Sequence, residues 1–287
     1  MKRFSIAMVS AFLALSLIGF ASCSSDSDDD DDTSTTTSSS STITLPESVG
    51  TDELSGTSWS YDNSSGDGKV TTWTFKDGTA TEKVVRQSKN MTEINEYTYS
   101  YDSTKKLVYL ALTKYTITEG KDSVSFSSAA AAKAEAAKDG ATGTELDYIY
   151  EIYNAQFSTK TVYKYTIEDT SLTLDSYFDG TLPTMAILDS ENSEGFIRYG
   201  YIVFGHNTSF YATVSGNTLT GTVYDDSGDE IVKLGTATGT YTASGAGTSD
   251  CTVTITFSAL PSSVTAVTTN TAYTFTQFHS SKTFSKQ

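Results

Sequence analysis

Apolar side chains are distributed along this chain in distinct regimes. Behind Lys2 and Arg3, a mostly apolar run extends from Phe4 to Phe20. Residues 24–48 are then Ser, Thr and Asp with almost nothing apolar. From Leu54 the pattern changes to alternation, the period-two signature of half-buried strands. A helical period interrupts it only near residues 128–157.

The alternating stretches predict hairpins. Trp73 and Phe75 alternate with threonines, Lys76-Asp77-Gly78-Thr79 supplies a turn, and residues 79–86 run back. In 96–101, Tyr97, Tyr99 and Tyr101 share one face; residues 102–105 turn. Residues 107–113 return, with Val108, Leu110 and Leu112 opposed to Tyr109 and Ala111. Further strands are expected at 162–167, 172–174, 196–204, 210–214, 219–224, 230–234, 237–242, 251–257 and 272–278. β-Branched and aromatic residues dominate these runs, and Gly, Asn and Asp punctuate them. Between 179 and 196, Pro183 opens either a loop or a short helix through Met185 and Leu188. Many short strands at near-regular spacing point to a barrel or a sandwich.

Two helices are expected in the interruption. Ser127 and Ser128 stand ready to cap an Ala-rich run to Lys138, which Gly140 ends. It has no large side chain to bury and should lie on the surface. In the second, Leu146, Ile149, Tyr150, Tyr153 and Phe157 fall on one face, with Thr144 and Asp147 as a capping box. That stripe should pack on the sheet or plug a barrel end.

The formal charge is −16 over 287 residues. Such acidity argues against nucleic acid, whose binding rests on Lys and Arg contacts to phosphate, and against lying flat on anionic headgroups. The N-terminal run is short for a membrane span and ends in small residues, so it reads as an export signal. The Ser/Thr/Asp segment cannot bury enough surface to offset its ordering entropy and is expected to be a disordered spacer with a reach of about 25–30 Å. Of the two cysteines, Cys23 follows the export signal, so Cys251 has no partner for a disulfide. Cys251 heads an alternating run without a neighbouring cation and reads as a small buried residue.

Catalytic and metal motifs are sparse. His206 and His279 are the only histidines, too few for a three-His zinc site. There is no Gly-x-Ser-x-Gly elbow and no phosphate-binding glycine loop. Asp225-Asp226-Ser227-Gly228-Asp229-Glu230 offers oxygen ligands suited to Ca²⁺, but misses the EF-hand spacing and reads as a hairpin turn. An enzyme acting on envelope glycans would need two facing acids in a groove. No cofactor and no metal are expected.

Phe20-Ala21-Ser22-Cys23 resembles the lipobox of bacterial lipoproteins. The resemblance implies that Cys23 is diacylated and becomes the first residue of the mature chain. It divides the chain into a signal peptide (1–22), a lipidated cysteine with its linker (23–49) and a body (50–287). Ser24, Ser25 and the run Asp28 to Asp32 look like sorting or surface-export segments of outer-membrane lipoproteins, or a plain solubilising spacer. The body opens with Leu54-Ser-Gly56-Thr57-Ser-Trp59, then Trp73-x-Phe75-x-Asp77-Gly78-Thr79 and Tyr97-x-Tyr99-x-Tyr101. These motifs are similar to those of the lipocalin-like domain of many bacterial lipoproteins. That similarity implies a mainly β fold: an antiparallel meander barrel of about 8–12 strands with a helical insertion near 128–157. Gly56 and Trp59 would open the first strand, Trp59 closing one barrel end.

Trp73, Phe75, Tyr97, Tyr99, Tyr101, Tyr163 and Tyr165 are then candidates for the interior. Such residues either fill a small barrel or wall a pocket whose hydroxyls orient a ligand. The expected function is that of a non-catalytic, lipid-anchored outer-membrane protein, periplasmic or surface-facing, that binds a small apolar ligand. The alternative is a structural or adhesive surface lipoprotein that contacts host or envelope proteins through loops and edge strands.

Overall fold

The computed structural model describes residues 43–65, 68–158, 160–178, 185–188, 196–197, 208–225, 230–248, 252–265, 267–277 and 281–287. Cys23, residues 24–42 of the spacer, Cys251, His206, His279 and residues 226–229 lie outside them.

The first half of the body is a run of hairpins: β1 (Thr57–Asn63), β2 (Lys69–Lys76), β3 (Thr79–Arg86), β4 (Met91–Asp102), β5 (Leu107–Glu119) and β6 (Asp122–Phe126). Helices α1 (Ala129–Lys138) and α2 (Thr144–Phe157) follow, then β7 (Lys160–Glu168) and β8 (Ser171–Ser176). Next come β9 (Met185–Leu188), β10 (Phe196–Ile197), β11 (Thr208–Ser215), β12 (Thr218–Asp225), β13 (Val232–Ser244), β14 (Thr252–Ala259) and β15 (Ala272–Gln277). β16 (Ser281–Lys286) ends the chain.

Eight of these strands close an antiparallel barrel. β1 to β5 pair in order, β5 pairs with β7, β7 with β8, β8 with β16, and β16 returns to β1. This is the mainly β, antiparallel meander barrel that the lipocalin-like resemblance implies, with the helices inserted after β6. β6 hangs on β5 outside the ring. The remaining strands, all lying between β8 and β16 in the chain, form a second sheet ordered β10-β15-β14-β13-β12-β11-β9. The stretches 230–234 and 237–242, read from sequence as two strands, fall on one: residues 232–234 and 237–242 both belong to β13. A register shift opposite Val223/Tyr224 and the unusual φ of Gly235 (138°) absorb the break in alternation.

Local chemistry sets these elements. At the β2–β3 turn Asp77 and Gly78 both have positive φ (47° and 77°), as a tight Asp-Gly hairpin turn requires. A bulge in β5 opposite Glu96/Tyr97 keeps Leu112 and Tyr115 both buried while Thr113 and Lys114 stay exposed.

The helices differ from expectation in four respects. Ser128 caps α1 as read, its Oγ accepting from the Ala131 N–H at 3.2 Å. Yet Ala129 and Ala132 are buried beside Phe126, Ile149 and Tyr153, so small side chains let α1 pack closely rather than lie free on the surface. On α2, Ile149 and Tyr153 join Tyr115, Ile117 and Phe126, whereas Tyr148, Ile152 and Ala155 meet Tyr211 and Tyr224 of the second sheet. The helix is therefore apolar on two faces, because it touches both sheets. Tyr150, expected in its stripe, is exposed with the Lys133 ammonium 5.7 Å from its ring centroid. The Thr144/Asp147 capping box does not form: Gly143 caps the helix, and Asp147 pairs with Lys133 at 2.8 Å.

Candidate functional site in the barrel interior

One barrel end is shut by the strap that leads into β1. The Val49 N–H donates to the Tyr101 carbonyl at 2.8 Å, and Leu54 behind it is fully buried. The Asp52 carboxylate accepts from the backbone N–H groups of Leu54 and Ser55 and from the Tyr99 hydroxyl at 2.8 Å. Glu53 accepts from the Tyr165 hydroxyl at 3.0 Å and from Lys106, bonds that hold its carboxyl below the ordinary range. Gly56 sits here with φ 77° and donates to the Phe75 carbonyl. Trp59 is buried on β1, its indole N–H donating to the Thr57 hydroxyl at 2.7 Å, with Lys286 over its ring.

The seven candidate aromatics converge as the alternation predicts. Trp73, Phe75, Tyr97, Tyr99, Tyr163 and Tyr165 belong to one buried cluster, and Tyr101 packs half-buried against it. Trp73 stacks on Phe75 and Tyr97 at 5.7 and 5.6 Å between centroids and meets Tyr163 edge-on at 6.4 Å. Phe75 meets Tyr99 edge-on at 5.5 Å. The strap end of the interior is thus occupied by ring against ring, and these contacts make the aromatics a packed floor.

The other end of the interior is polar. Lys69, Thr71, Glu82, Arg86 and Glu93 are buried on β2, β3 and β4. Arg86 Nε donates to Glu93 at 2.9 Å, with both side chains under a tenth exposed. The Asn95 amide donates to Glu82 at 3.0 Å. Burial pushes the Glu82 carboxyl up to about 7, against smaller opposing pulls from the Asn95 bond, the Lys282 ammonium and the Tyr97 hydroxyl. Lys282 reaches Glu82's field from β16, with β1 and β2 between them in the sheet, so the two act across the interior. Beyond them, Tyr115 is raised by burial and by Glu93, and the Tyr153 ring of α2 lies 6.2 Å from it. The helical insertion therefore stands over this polar end.

Trp73 joins the two halves. It pairs in register with Glu82, and its indole Nε1 is buried with no hydrogen-bond partner among the described residues. An indole N–H can only donate.

None of the interior charges figured among the sequence candidates. The signal was present as parity. Ala80, Glu82 and Arg86 occupy alternate positions of one strand, and Met91, Glu93, Asn95 and Tyr97 those of the next. Charged residues in phase with buried apolar ones mark an inward polar face. Among the described residues no group of three His, Cys, Asp or Glu is placed to hold a metal ion, and no helix is long and apolar enough to cross a membrane. The chain matches no family model, no curated protein and no solved structure; its closed eight-stranded antiparallel barrel is consistent with a lipocalin-like fold.

Proposed function

We propose that this chain is a non-catalytic, lipid-anchored binding protein of the outer membrane. Cys23 carries the acyl chains, the Ser/Thr/Asp spacer holds the body off the bilayer, and the barrel takes one small, largely apolar molecule. The observation that carries the reading is the interior itself: a floor of packed rings beneath a buried polar cluster, with the Trp73 N–H unsatisfied beside Glu82. Burying charge is costly even when it is paired, and this barrel holds the Arg86–Glu93 pair and Glu82 inside rather than on its surface. A site that is apolar on one side and holds a few fixed polar groups is the usual form of a small-molecule pocket.

The strap supports a direction. It enters the barrel at the ring-filled end, whereas β8 leaves for the second sheet and β16 returns from it at the polar end (Asp175 pairs with Ser281). The spacer thus joins the body at one end, and the binding cluster faces the other.

The test is native mass spectrometry of the detergent-solubilised full chain, purified from its own cells. The expected spectrum shows the triacylated or diacylated mature chain with a small molecule retained. A Cys23→Ser chain that keeps the mobility and membrane partition of the wild type would remove the anchor. A ligand-free spectrum under every gentle condition, with no uptake from a hydrophobic extract, would remove the binding function.

A further inference from the structure

We propose that two copies of this chain associate edge to edge through β6, antiparallel and centred on Val124. The inference is independent of the binding function, since β6 hangs outside the barrel ring.

The open edge is the first observation. β6 ends the nine-stranded sheet and pairs with β5 alone. The two-residue turn Gly120-Lys121 makes Glu119 and Asp122 the closing pair of this hairpin. Ladder bonds recur at every second residue, so Asp122, Val124 and Phe126 bond to β5. Ser123 and Ser125 occupy the alternate, closer pairs, which fits the 2.9 Å between the Ser123 and Thr118 hydroxyls and the 2.7 Å between those of Ser125 and Thr116. The backbone N–H and C=O groups of Ser123 and Ser125 therefore point outward, and among the described residues no backbone group meets them. Both residues are exposed. α1 packs on the face of the strand, through Ala129 and Ala132 beside Phe126. Nor does β6 carry the usual blunting devices: its residues include no Pro and no Lys, and its pairing has no bulge.

The residues along this edge suit a second copy. Centred on Val124, an antiparallel partner sets Ser123 opposite Ser125 of the partner subunit and Asp122 opposite Phe126 of the partner subunit. Ser123 and Ser125 then exchange both of their outward backbone bonds, and the Thr118–Ser123 hydroxyl pair continues into Ser125 of the partner subunit. No like charges stand opposite one another in this register. Asp122, the one acid of β6, arrives on the face where α1 of the other copy begins, and the first turn of α1 holds no acid of its own. A carboxylate near a helix N-terminus is favourable. Two strands this short cover less than the about 1,000 Å² of a stable interface, so the dimer is weak. Anchors sharing one membrane, as proposed above, would raise its local concentration.

The test is cysteine trapping of the detergent-solubilised full chain under mild oxidation. Val124→Cys sets two thiols opposite each other at the centre, in a pair with Cα atoms about 4.5 Å apart and within disulfide reach. It is expected to run largely as a covalent dimer on a non-reducing gel, above the background that Cys251 gives in the unchanged chain. Ser123→Cys places its thiols on diagonal neighbours about 7–8 Å apart and should trap at least about fivefold less. Ser125→Pro added to Val124→Cys removes an outward N–H and keeps the bonds to β5, so it should abolish the dimer. No dimer above background from Val124→Cys would overturn the pairing. Equal trapping at 123 and 124 would overturn the register, and a dimer that Ser125→Pro leaves intact would overturn the edge as its seat. Should Val124→Cys not fold by near-ultraviolet circular dichroism, sedimentation carries the test: the unchanged chain should dimerise with rising concentration and Ser125→Pro should not, and a monomer throughout would overturn the proposal.

Discussion

The barrel and the second sheet are built from strands of the same Thr-rich alternating kind, yet they bury different things. Every buried polar residue among the described ones, from Lys69 to Thr161, lies in the barrel. The inner face of the second sheet is Phe210, Leu219, Val223, Val253, Ile255 and Phe257, each essentially inaccessible, with no charge among them. Its outer face alternates with them as neutral hydroxyl rows, such as Thr218–Thr240–Thr256. Two glycines mark its inner face instead of charges: a Cβ on Gly221 would stand 1.8 Å from the Tyr211 carbonyl oxygen, and one on Gly239 2.8 Å from that of Thr256. The second sheet is a core closed by tight backbone packing. The barrel gives up part of that apolar economy to hold charge, and this difference places the chemistry of the molecule in the barrel.

Four substitutions sharpen or break the contrast. Arg86→Met leaves Glu93 buried without its partner and should cost about 4 kcal/mol in urea unfolding; the double change Arg86→Met with Glu93→Leu should recover most of it. A cost within experimental error would mean that water reaches the pair. In the second sheet, Gly221→Ala should cost about 3 kcal/mol, because the new methyl meets backbone that cannot step aside. A thermal melt unchanged from wild type would deny that close approach.

Glu82→Gln tests the barrel in the opposite direction, as a gain. Folded Glu82 keeps its proton up to about 7, whereas the unfolded chain loses it near 4.5. Between those values the folded state binds more protons, so wild-type stability rises as pH falls from 7 towards 4.5. Above pH 7 the ionised carboxylate opposes folding, and Gln should stabilise by about 2 kcal/mol, a gain that fades near pH 4.5. Equal melting of the two proteins at pH 8 would contradict a buried acid. The smallest effect is at the strap: Tyr165→Phe removes the hydroxyl held by Glu53 and should cost about 1 kcal/mol. Limited proteolysis near residue 50 should become faster, and an unchanged rate would show that the strap is held without the Glu53–Tyr165 bond.

The barrel was legible in sequence where alternation was strict. Trp73-x-Phe75 and Tyr97-x-Tyr99-x-Tyr101 placed the rings on one face, and Asp77-Gly78 placed the turn. The division into barrel and second sheet was not, because strand pairing between β8 and β16 spans more than a hundred residues and leaves no local pattern. The two apolar faces of α2 were obscured for a similar reason: Tyr148 and Ile152 lie outside a single stripe and make sense only once Tyr211 and Tyr224 stand opposite. The polar cluster was missed because Glu82, Arg86 and Glu93 read as solvent-facing charges in isolation. Their parity with Ala80 and Tyr97 gives the inward direction, and closure of the ring makes that direction an interior.

The ionisation of Glu82 tests the account most directly. Following its side-chain carboxyl by carbon NMR across a pH titration, with Glu82→Gln to assign the resonance, should give a midpoint near 7. A midpoint near 4.5, the ordinary value for an accessible glutamate, would mean that the polar end of the barrel is open to water and would remove the basis for a buried polar cluster.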